Sequence, residues 1–292
     1  MTPALTVFTA SARLDLARLW LACVTRAFPR DEVVVEIFDD SKAGILAPDL
    51  LPHATVLRPG PSRRDFQEAY NDVLLRAATP LLVLLDTDAY PTSADIWPLV
   101  RERLADRKVA AVSCAPRTAT TGHDTVALVL KVEAYRAALT AVPDGFFPRA
   151  ERLESGDPPG RWFGQDTGDL LTSAVIALGG RHEVLRLEEA GSFVRFDALT
   201  NVHLLASWAG HKPLLSLARR HAYFREGCLG NLALKAVYEK RFSDGPPFSF
   251  GLSAAALWTE LAWGGLDSLR DGARRARRMR AGARRMEEFL RD

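Results

Sequence analysis

The sequence predicts an α/β protein with a mostly parallel, doubly wound sheet flanked by helices and followed by a helical C-terminal extension. Short apolar runs alternate with segments of helical periodicity through the first half of the chain, as in proteins that pack helices on both faces of a parallel sheet. The run 81–85, Leu-Leu-Val-Leu-Leu, is apolar without interruption. Such a run is typical of a strand buried on both faces.

The elements follow from local patterns in chain order. Apolar runs predict strands at 5–9, 33–38, 55–57, 81–85, 109–114 and 125–131. Apolar residues recurring every three or four positions predict helices at 12–28, 64–77 and 93–106. The Pro- and Gly-rich stretch 143–164 predicts a long loop, followed by a helix over 166–178 that Gly179-Gly180 ends.

Length and composition limit the class of protein. The chain has 292 residues, and we predict a main domain over 1–225, with halves 1–115 and 116–225, then an extension over 226–292. The net charge of +2 argues against nucleic acid as a partner. Three widely separated cysteines form no metal-binding or CxxC pattern and are typical of reduced thiols. With neither a signal peptide nor a membrane-spanning run, we expect a cytoplasmic protein, or one at the inner membrane face.

Two carboxylates, Asp86 and Asp88, come directly after the run 81–85. Residues two apart in an extended chain point the same way, so we expect both side chains to face the crevice at the carboxyl end of the strand. Adjacent carboxylates repel each other, and a divalent metal that carries substrate phosphates would supply the counter-charge. The alternative is a local turn in which Asp88 bonds its own backbone ahead of Pro91.

The segments 64–71, Arg-Asp-Phe-Gln-Glu-Ala-Tyr-Asn, and 77–88, which ends in Asp-Thr-Asp, carry a family resemblance. Their order, a helix with an Ala-x-Asn element before a strand ending in Asp-x-Asp, resembles the GT-A-fold glycosyltransferases, in particular the broad family 2 group. The resemblance spans residues 1–210 and weakens toward its end. It implies a GT-A-like catalytic domain and an inverting, metal-dependent transfer of a sugar from a nucleoside diphosphate sugar. The acceptor would be a hydroxyl of a glycan, a lipid-linked molecule or a small molecule.

The resemblance also implies donor-site roles for residues at the strand ends. Asp88 matches the carboxylate that binds Mn²⁺ or Mg²⁺, and Asp86 matches the one that contacts ribose or a metal-bound water, with Thr87 between them. The candidate nucleoside contacts are Thr9, Ala10, Ser11 and Asp39, and the candidate phosphate contact is Arg63. For Asp39 the alternative is an exposed loop residue, and for Arg63 it is a solvated charge at a helix start.

Two further motifs concern the acceptor and the metal. Segment 162–170 resembles the acidic motif of inverting members, although Gln165 stands where the family has Glu. This implies Asp166 as the base that deprotonates the acceptor, with Asp169 as second choice, and helix capping is the alternative. In some GT-A enzymes a histidine of the later region completes the metal shell, and His203 is our candidate, with a hydrogen-bonded core histidine as the alternative.

Three other functions fit parts of the pattern. An Asp-based phosphohydrolase usually carries its motif on the first strand, with Thr or Val two residues after the second Asp, where this chain has Tyr90. A sugar-nucleotide nucleotidyltransferase should have a Gly-rich loop after its first strand, and segment 9–13 has no glycine. A catalytically degenerate binding protein of the same fold also stays open.

The C-terminal tail is basic and periodic. Segment 272–285 holds seven arginines and no acidic residue. Apolar residues recur there at spacings of three and four, which gives one apolar stripe flanked by guanidinium groups: Ala273, Ala276, Met279, Ala283, Met286 and Leu290. Such a helix can lie on an anionic membrane, pack on the domain surface or form a dimer contact.

Overall fold

A central sheet and its flanking helices organise the chain. The computed structural model describes residues 3–41, 43–58, 66–114, 126–146, 168–196, 199, 215–249 and 265–291. In these ranges the strands are β1 (Leu5–Ser11), β2 (Val33–Asp39), β3 (Ala54–Leu57), β4 (Leu81–Leu85), β5 (Ala89–Pro91), β6 (Val109–Ser113), β7 (Ala127–Lys131), β8 (Arg181–Val184) and β9 (Phe193–Arg195). The helices are α1 (Leu14–Ala27), α2 (Phe66–Arg76), α3 (Ile96–Leu104), α4 (Val132–Ala138), α5 (Asp169–Ala177), α6 (Leu215–Arg241) and α7 (Gly265–Arg291), and Pro48–Leu50 forms a 3₁₀ turn.

Seven strands form one sheet in the order β3-β2-β1-β4-β7-β6-β8, and β5 pairs with β9 in a second, two-stranded sheet. The pairs β1–β2, β1–β4, β2–β3 and β6–β8 are parallel, whereas β7 runs antiparallel to both β4 and β6. The predicted fold class, a mostly parallel sheet flanked by helices, is therefore confirmed. This topology brings the carboxyl ends of β1, β2, β4 and β6 to one edge of the sheet.

Strand β4 is buried on both faces, as its composition predicts. Leu82 and Leu84 belong to an apolar cluster with residues of α2, α4 and α5. Val83 and Leu85 belong to a second cluster, with residues of α1, α3 and the C-terminal helices. Because alternate residues of one strand enter different layers, an unbroken apolar run is needed here, and each buried side chain contributes about 1.5–3 kcal/mol.

Several elements differ from the predictions. Helix α4 and strands β5, β8 and β9 had no predicted counterpart, since each is short and has little periodicity of its own. Helix α5 begins at Asp169 rather than near Asp166, because Gly168 adopts a left-handed conformation with φ of 84° that an α-helix does not contain. No helix in the described part of the chain is long and apolar enough to cross a membrane.

The C-terminal helices share the core of the sheet. Four members of the predicted stripe, Met279, Ala283, Met286 and Leu290, are buried within the cluster on the α1 side. The first two differ from the prediction, since Ala273 is exposed and Ala276 is half-buried. Of the three roles open to this stripe, packing on the domain is the one observed. The predicted boundary between residues 225 and 226 falls inside the continuous helix α6.

A buried ion pair at the start of α1 ties that helix to α6 and to residues 199 and 249. Arg13 and Asp15 are both almost fully buried and face each other through two hydrogen bonds. Arg13 also donates to the Asn231 Oδ1 of α6 and to the carbonyl of Leu199. Asp15 Oδ2, which accepts from Arg13, also accepts from the backbone N–H of Ser249 at 2.9 Å. One charge pair therefore holds four separate segments together.

The Asp15→Ala variant tests how much this ion pair contributes to the free energy of unfolding. Removing the carboxylate leaves the guanidinium of Arg13 buried beside no counter-charge, so we expect the free energy of unfolding to fall by about 3–5 kcal/mol in urea denaturation. The matched control is Glu189→Ala, which removes the exposed Arg186–Glu189 pair, and we expect its midpoint to stay within error of the wild type. Equal losses in the two variants would contradict a structural role for the buried pair.

Candidate functional site at the carboxyl edge of the sheet

Three neighbouring parallel strands end together at this edge. The register pairs Ser11 of β1 with Asp39 of β2, and Phe8 of β1 with Leu84 of β4. Asp86 follows two residues after Leu84 and therefore lies at the same level as the end of β1. The predicted donor-site segments 9–11, 39 and 86–88 are thus brought together, which is the place where ligands bind in open α/β sheets.

Asp86 and Asp88 lie on a tight turn and not on an extended strand. Strand β4 ends at Leu85, and the N–H of Ala89 donates to the carbonyl of Asp86 at 3.0 Å. The prediction that the two carboxylates leave an extended chain side by side is therefore wrong in its geometry, since alternation does not continue through a turn. Both side chains are half-buried at the edge.

Backbone hydrogen bonds fix this turn from both sides. The N–H of Asp86 donates to the carbonyl of Val126, just before β7, at 2.9 Å. The N–H of Phe196, just after β9, donates to the carbonyl of Asp88 at 2.8 Å. Two different sheets thus hold the two ends of the turn, so that the carboxylates are carried on a constrained backbone.

Tyr70 of α2 is a direct partner of the turn. Its hydroxyl donates to Asp86 Oδ1 at 2.9 Å. The ring is buried and packs edge-on against Phe8 at 5.6 Å and against Phe146 at 5.8 Å between ring centroids. Tyr70, held in place by these ring contacts, therefore orients the Asp86 carboxylate through one of its oxygens.

Asp88 faces a different environment. Tyr90, two residues on, is fully buried and meets Phe196 edge-on at 5.8 Å between ring centroids. Burial raises the pKa of Tyr90 well above its ordinary value, and the negative charge of Asp88 raises it further. Tyr90 consequently stays a neutral phenol at every physiological pH and adds no charge beside Asp88.

The predicted nucleoside contacts of β1 are mostly buried. Thr9 and Ser11 have almost no exposed surface, and Ala10 between them is half-buried. The Ser11 hydroxyl exchanges hydrogen bonds with the backbone of Arg13, its Oγ donating to the carbonyl at 3.0 Å and accepting from the N–H at 3.3 Å. Thr87 is also buried. Among these four, Ala10 lies nearest to solvent.

Asp39 is a buried carboxylate with both oxygens bonded to the chain. Oδ1 accepts from the N–H and the hydroxyl of Ser41, and Oδ2 accepts from the N–H of Leu46 at 3.0 Å. The alternative of an exposed loop residue is wrong, because the side chain has no exposed surface. Asp39 shapes the loop that follows β2, and its predicted contact with a nucleoside stays a prediction.

Asn71 anchors a second wall of the site. Its amide nitrogen donates to the carbonyl of Asp144 at 3.0 Å, and its Oδ1 accepts from the N–H of Phe146 at 2.9 Å. Gly145 between them has a φ of 62°, and a Cβ there would lie 2.1 Å from the Asn71 Oδ1. The carbonyl of Phe146 in turn accepts from the N–H of Gly168 at 3.1 Å. The start of α5 is therefore joined to α2 through one amide side chain.

Three predicted residues, Asp166, Arg63 and His203, lie outside the described residues, as does the Trp162-Phe163 pair. Asp169 is the first residue of α5, and only its backbone is described. Their roles as base, phosphate contact and metal ligand stay predictions. Within the described ranges no group of three or more His, Cys, Asp or Glu side chains is arranged to hold a metal.

The two carboxylates nevertheless form a donor set that suits a divalent metal with its substrate. Mg²⁺ is commonly held by one or two carboxylates, with phosphate oxygens and water completing the shell. Asp86 and Asp88 offer oxygen ligands only, at a half-buried edge where a diphosphate could supply the rest.

Sequence reasoning missed the parts that hold the site. Tyr70 and Asn71 appear in the sequence only as members of the Ala-x-Asn element, without a role for either side chain. The Asp144-Gly145 pair could have signalled the tight turn that Asn71 closes. The bond from Tyr70 to Asp86 depends on how α2 lies against β4, which no local pattern records.

Solved structures are similar to this chain, whereas no family model matches its sequence. No protein-family model matches the sequence, and no curated protein is significantly similar to it. Among solved structures, a mannosyltransferase from Pyrobaculum calidifontis, PcManGT in complex with GDP-Man and Mn²⁺, is similar at 18% identity and a TM-score of 0.43, over 100% of this chain and 89% of that one.

Two further solved structures are similar to this chain. TarS residues 1–349 of S. aureus is 11% identical with a TM-score of 0.44, over 100% of this chain and 89% of that one. A 4-diphosphocytidyl-2C-methyl-D-erythritol synthase from Anaerococcus prevotii is 12% identical with a TM-score of 0.40, over 63% and 86%. Since each TM-score is below 0.5 and each identity below 20%, these likenesses assign neither family nor activity.

The contact between Gly145 and Asn71 can be tested by a double-mutant cycle. We expect Gly145→Ala to lower the free energy of unfolding by at least about 1 kcal/mol more than Gly179→Ala. Both glycines have positive φ, but a Cβ at Gly179 meets open space. Combining Gly145→Ala with Asn71→Ala removes the clash, so the double variant should lose less than the sum of the single losses in urea denaturation. Additive losses would contradict the proposed anchoring.

Proposed function

We propose that the chain is a metal-dependent glycosyltransferase that moves a sugar from a nucleoside diphosphate sugar to a hydroxyl acceptor with inversion at the anomeric carbon. The observation that carries this proposal is the turn of Asp86 and Asp88, fixed at the edge where β1, β2 and β4 end. The resemblance of segments 64–71 and 77–88 to family 2 GT-A enzymes supports the same reading.

In this proposal Asp88 and Asp86 hold Mn²⁺ or Mg²⁺ together with the donor diphosphate. The metal, when bound, neutralises the negative charge that develops on the departing diphosphate. The chain contributes the orientation of the ligands. The hydrogen bond from Tyr70 keeps one oxygen of Asp86 pointed at α2, and the backbone bonds of the turn keep Asp88 at the crevice.

The nucleoside would lie across the ends of β1 and β2. Ala10 is half-buried and would offer its backbone and exposed surface to the base. Buried Ser11 and Asp39 stabilise the loops after β1 and β2 through hydrogen bonds to their backbones. Arg63 would add charge beside the diphosphate.

Asp166 would activate the acceptor, with Asp169 as the second candidate. The acceptor oxygen forms a bond to the anomeric carbon as the bond from that carbon to the diphosphate oxygen breaks. The carboxylate takes the hydroxyl proton, and the nucleoside diphosphate leaves with the bonding electrons. Asp169 directly follows Gly168, which a chain of contacts through Phe146 and Tyr70 joins to Asp86, and this supports a role for the start of α5 in the proposal.

The test measures turnover of a panel of nucleoside diphosphate sugars, with and without Mn²⁺. Turnover is detected as release of the nucleoside diphosphate. We expect Asp88→Asn to reduce metal-dependent release by about 10²–10³-fold, because charge stabilisation of the leaving group is lost. Thermal unfolding of the variant should be close to that of the wild type, since the side chain is only half-buried.

Asp31→Asn is the matched control. This exposed aspartate lies just before β2, at the end of that strand away from the site, and the same chemical change there should leave turnover intact. An Asp88→Asn variant with unchanged metal-dependent release would contradict the proposal. Release of inorganic phosphate in place of the nucleoside diphosphate would instead indicate an Asp-based phosphohydrolase.

A further inference from the structure

Helix α7 presents two opposite faces. Its buried face consists of Met279, Ala283, Met286 and Leu290, which pack in the core with α1, α6 and β9. The helix lies close against β9, since a Cβ at Gly282 would come within 2.7 Å of a methyl carbon of Val194. The opposite face is therefore fixed in orientation by the fold and cannot rotate toward the core.

Four arginines occupy that outer face. Arg270, Arg274, Arg277 and Arg284 are exposed, and their spacings of four, three and seven residues place them in one line along the helix. We call these four residues the arginine row. At a rise of about 1.5 Å per residue the row is about 21 Å long.

The arginine row differs in its partners from three other arginines of the helix. Arg275 and Arg278 both donate to Glu226 of α6, and Arg291 donates to Glu287. In the described part of the chain, no carboxylate lies within ion-pair distance of the four row residues. Internal ion pairs thus engage three arginines of α7, whereas the row residues have no ion-pair partner among the described residues.

Charge is also unevenly divided between α7 and the rest of the chain. The sequence 265–291 contains nine arginines and four acidic residues, a net charge of +5, whereas the whole chain carries +2. The remaining residues therefore carry −3. The small net charge of the whole chain therefore hides a concentration of positive charge in α7.

We propose that the arginine row is a docking surface for an anionic lipid bilayer, which it binds at the headgroups without insertion. A line of exposed arginines along one face of a helix can contact the phosphates of several lipid headgroups. Single-stranded nucleic acid is bound in grooves with aromatic rings for the bases, and among the described residues of α7 the one aromatic ring, that of Phe289, is covered by Arg26. The apolar stripe is buried in the core, so binding rests on charge alone.

Co-sedimentation of the full chain with vesicles tests this proposal independently of any enzymatic activity. We expect binding to phosphatidylcholine vesicles that contain phosphatidylserine, and no binding to phosphatidylcholine alone. Binding should disappear as salt rises from about 0.1 M to about 1 M, because the screening length falls from about 10 Å to about 3 Å. Each arginine removed should weaken partitioning about fivefold at low salt, and the variant with all four row residues changed to Gln should not sediment with vesicles.

The control removes the same charge elsewhere. Arg30, Arg103, Arg107 and Arg186 are exposed on other elements, and changing these four to Gln should preserve most of the binding. All eight side chains are exposed, so both variants should keep the wild-type thermal midpoint. Equal loss in the two variants, binding to uncharged vesicles, or no sedimentation of the wild type would overturn the proposal. So would a row-dependent affinity for single-stranded RNA that exceeds the affinity for anionic vesicles.

Discussion

The structure depends on the burial of strand β4 between two apolar layers and on its end at the edge of the sheet. Its five apolar residues are divided between two layers, Leu82 and Leu84 on one side and Val83 and Leu85 on the other. No polar group could be accommodated along this stretch without the cost of burying it. The first carboxylate therefore occurs at Asp86, where the chain leaves the sheet, and the hydrophobic core determines the position of the candidate site.

The turn that follows β4 is stabilised by elements far away in sequence. Val126, before β7, and Phe196, after β9, each bond its backbone. Strand β9 is in turn packed against α7, whose Gly282 allows the close approach. The C-terminal helices are thus part of the support of the Asp-x-Asp turn as well as of the core. The buried Arg13–Asp15 pair, just after β1, bonds α6 through Asn231 and the chain beyond α6 through Ser249.

Features that a local sequence pattern determines were predictable, whereas features that depend on contacts between distant residues were not. The run 81–85 identifies a doubly buried strand because every residue there must be apolar, and Asp86 and Asp88 mark its end. An apolar run indicates that a strand is buried, but it does not indicate the direction of the neighbouring strand. The antiparallel pairing of β7 with β4 was therefore not predictable. The turn geometry was predicted wrongly because it depends on a bond from Ala89 that alternation ignores. The contacts of Tyr70 required the packing of α2 on the sheet.

Anomalous scattering from crystals grown with Mn²⁺ and a nucleoside diphosphate tests the central claim most directly. We predict a manganese peak at the Asp86–Ala89 turn, with the metal bound by the Asp88 carboxylate and by the diphosphate. A nucleotide bound at the edge of β1 and β2 with manganese absent from the turn would contradict it. A manganese peak elsewhere, with both carboxylates directed away from it, would do the same.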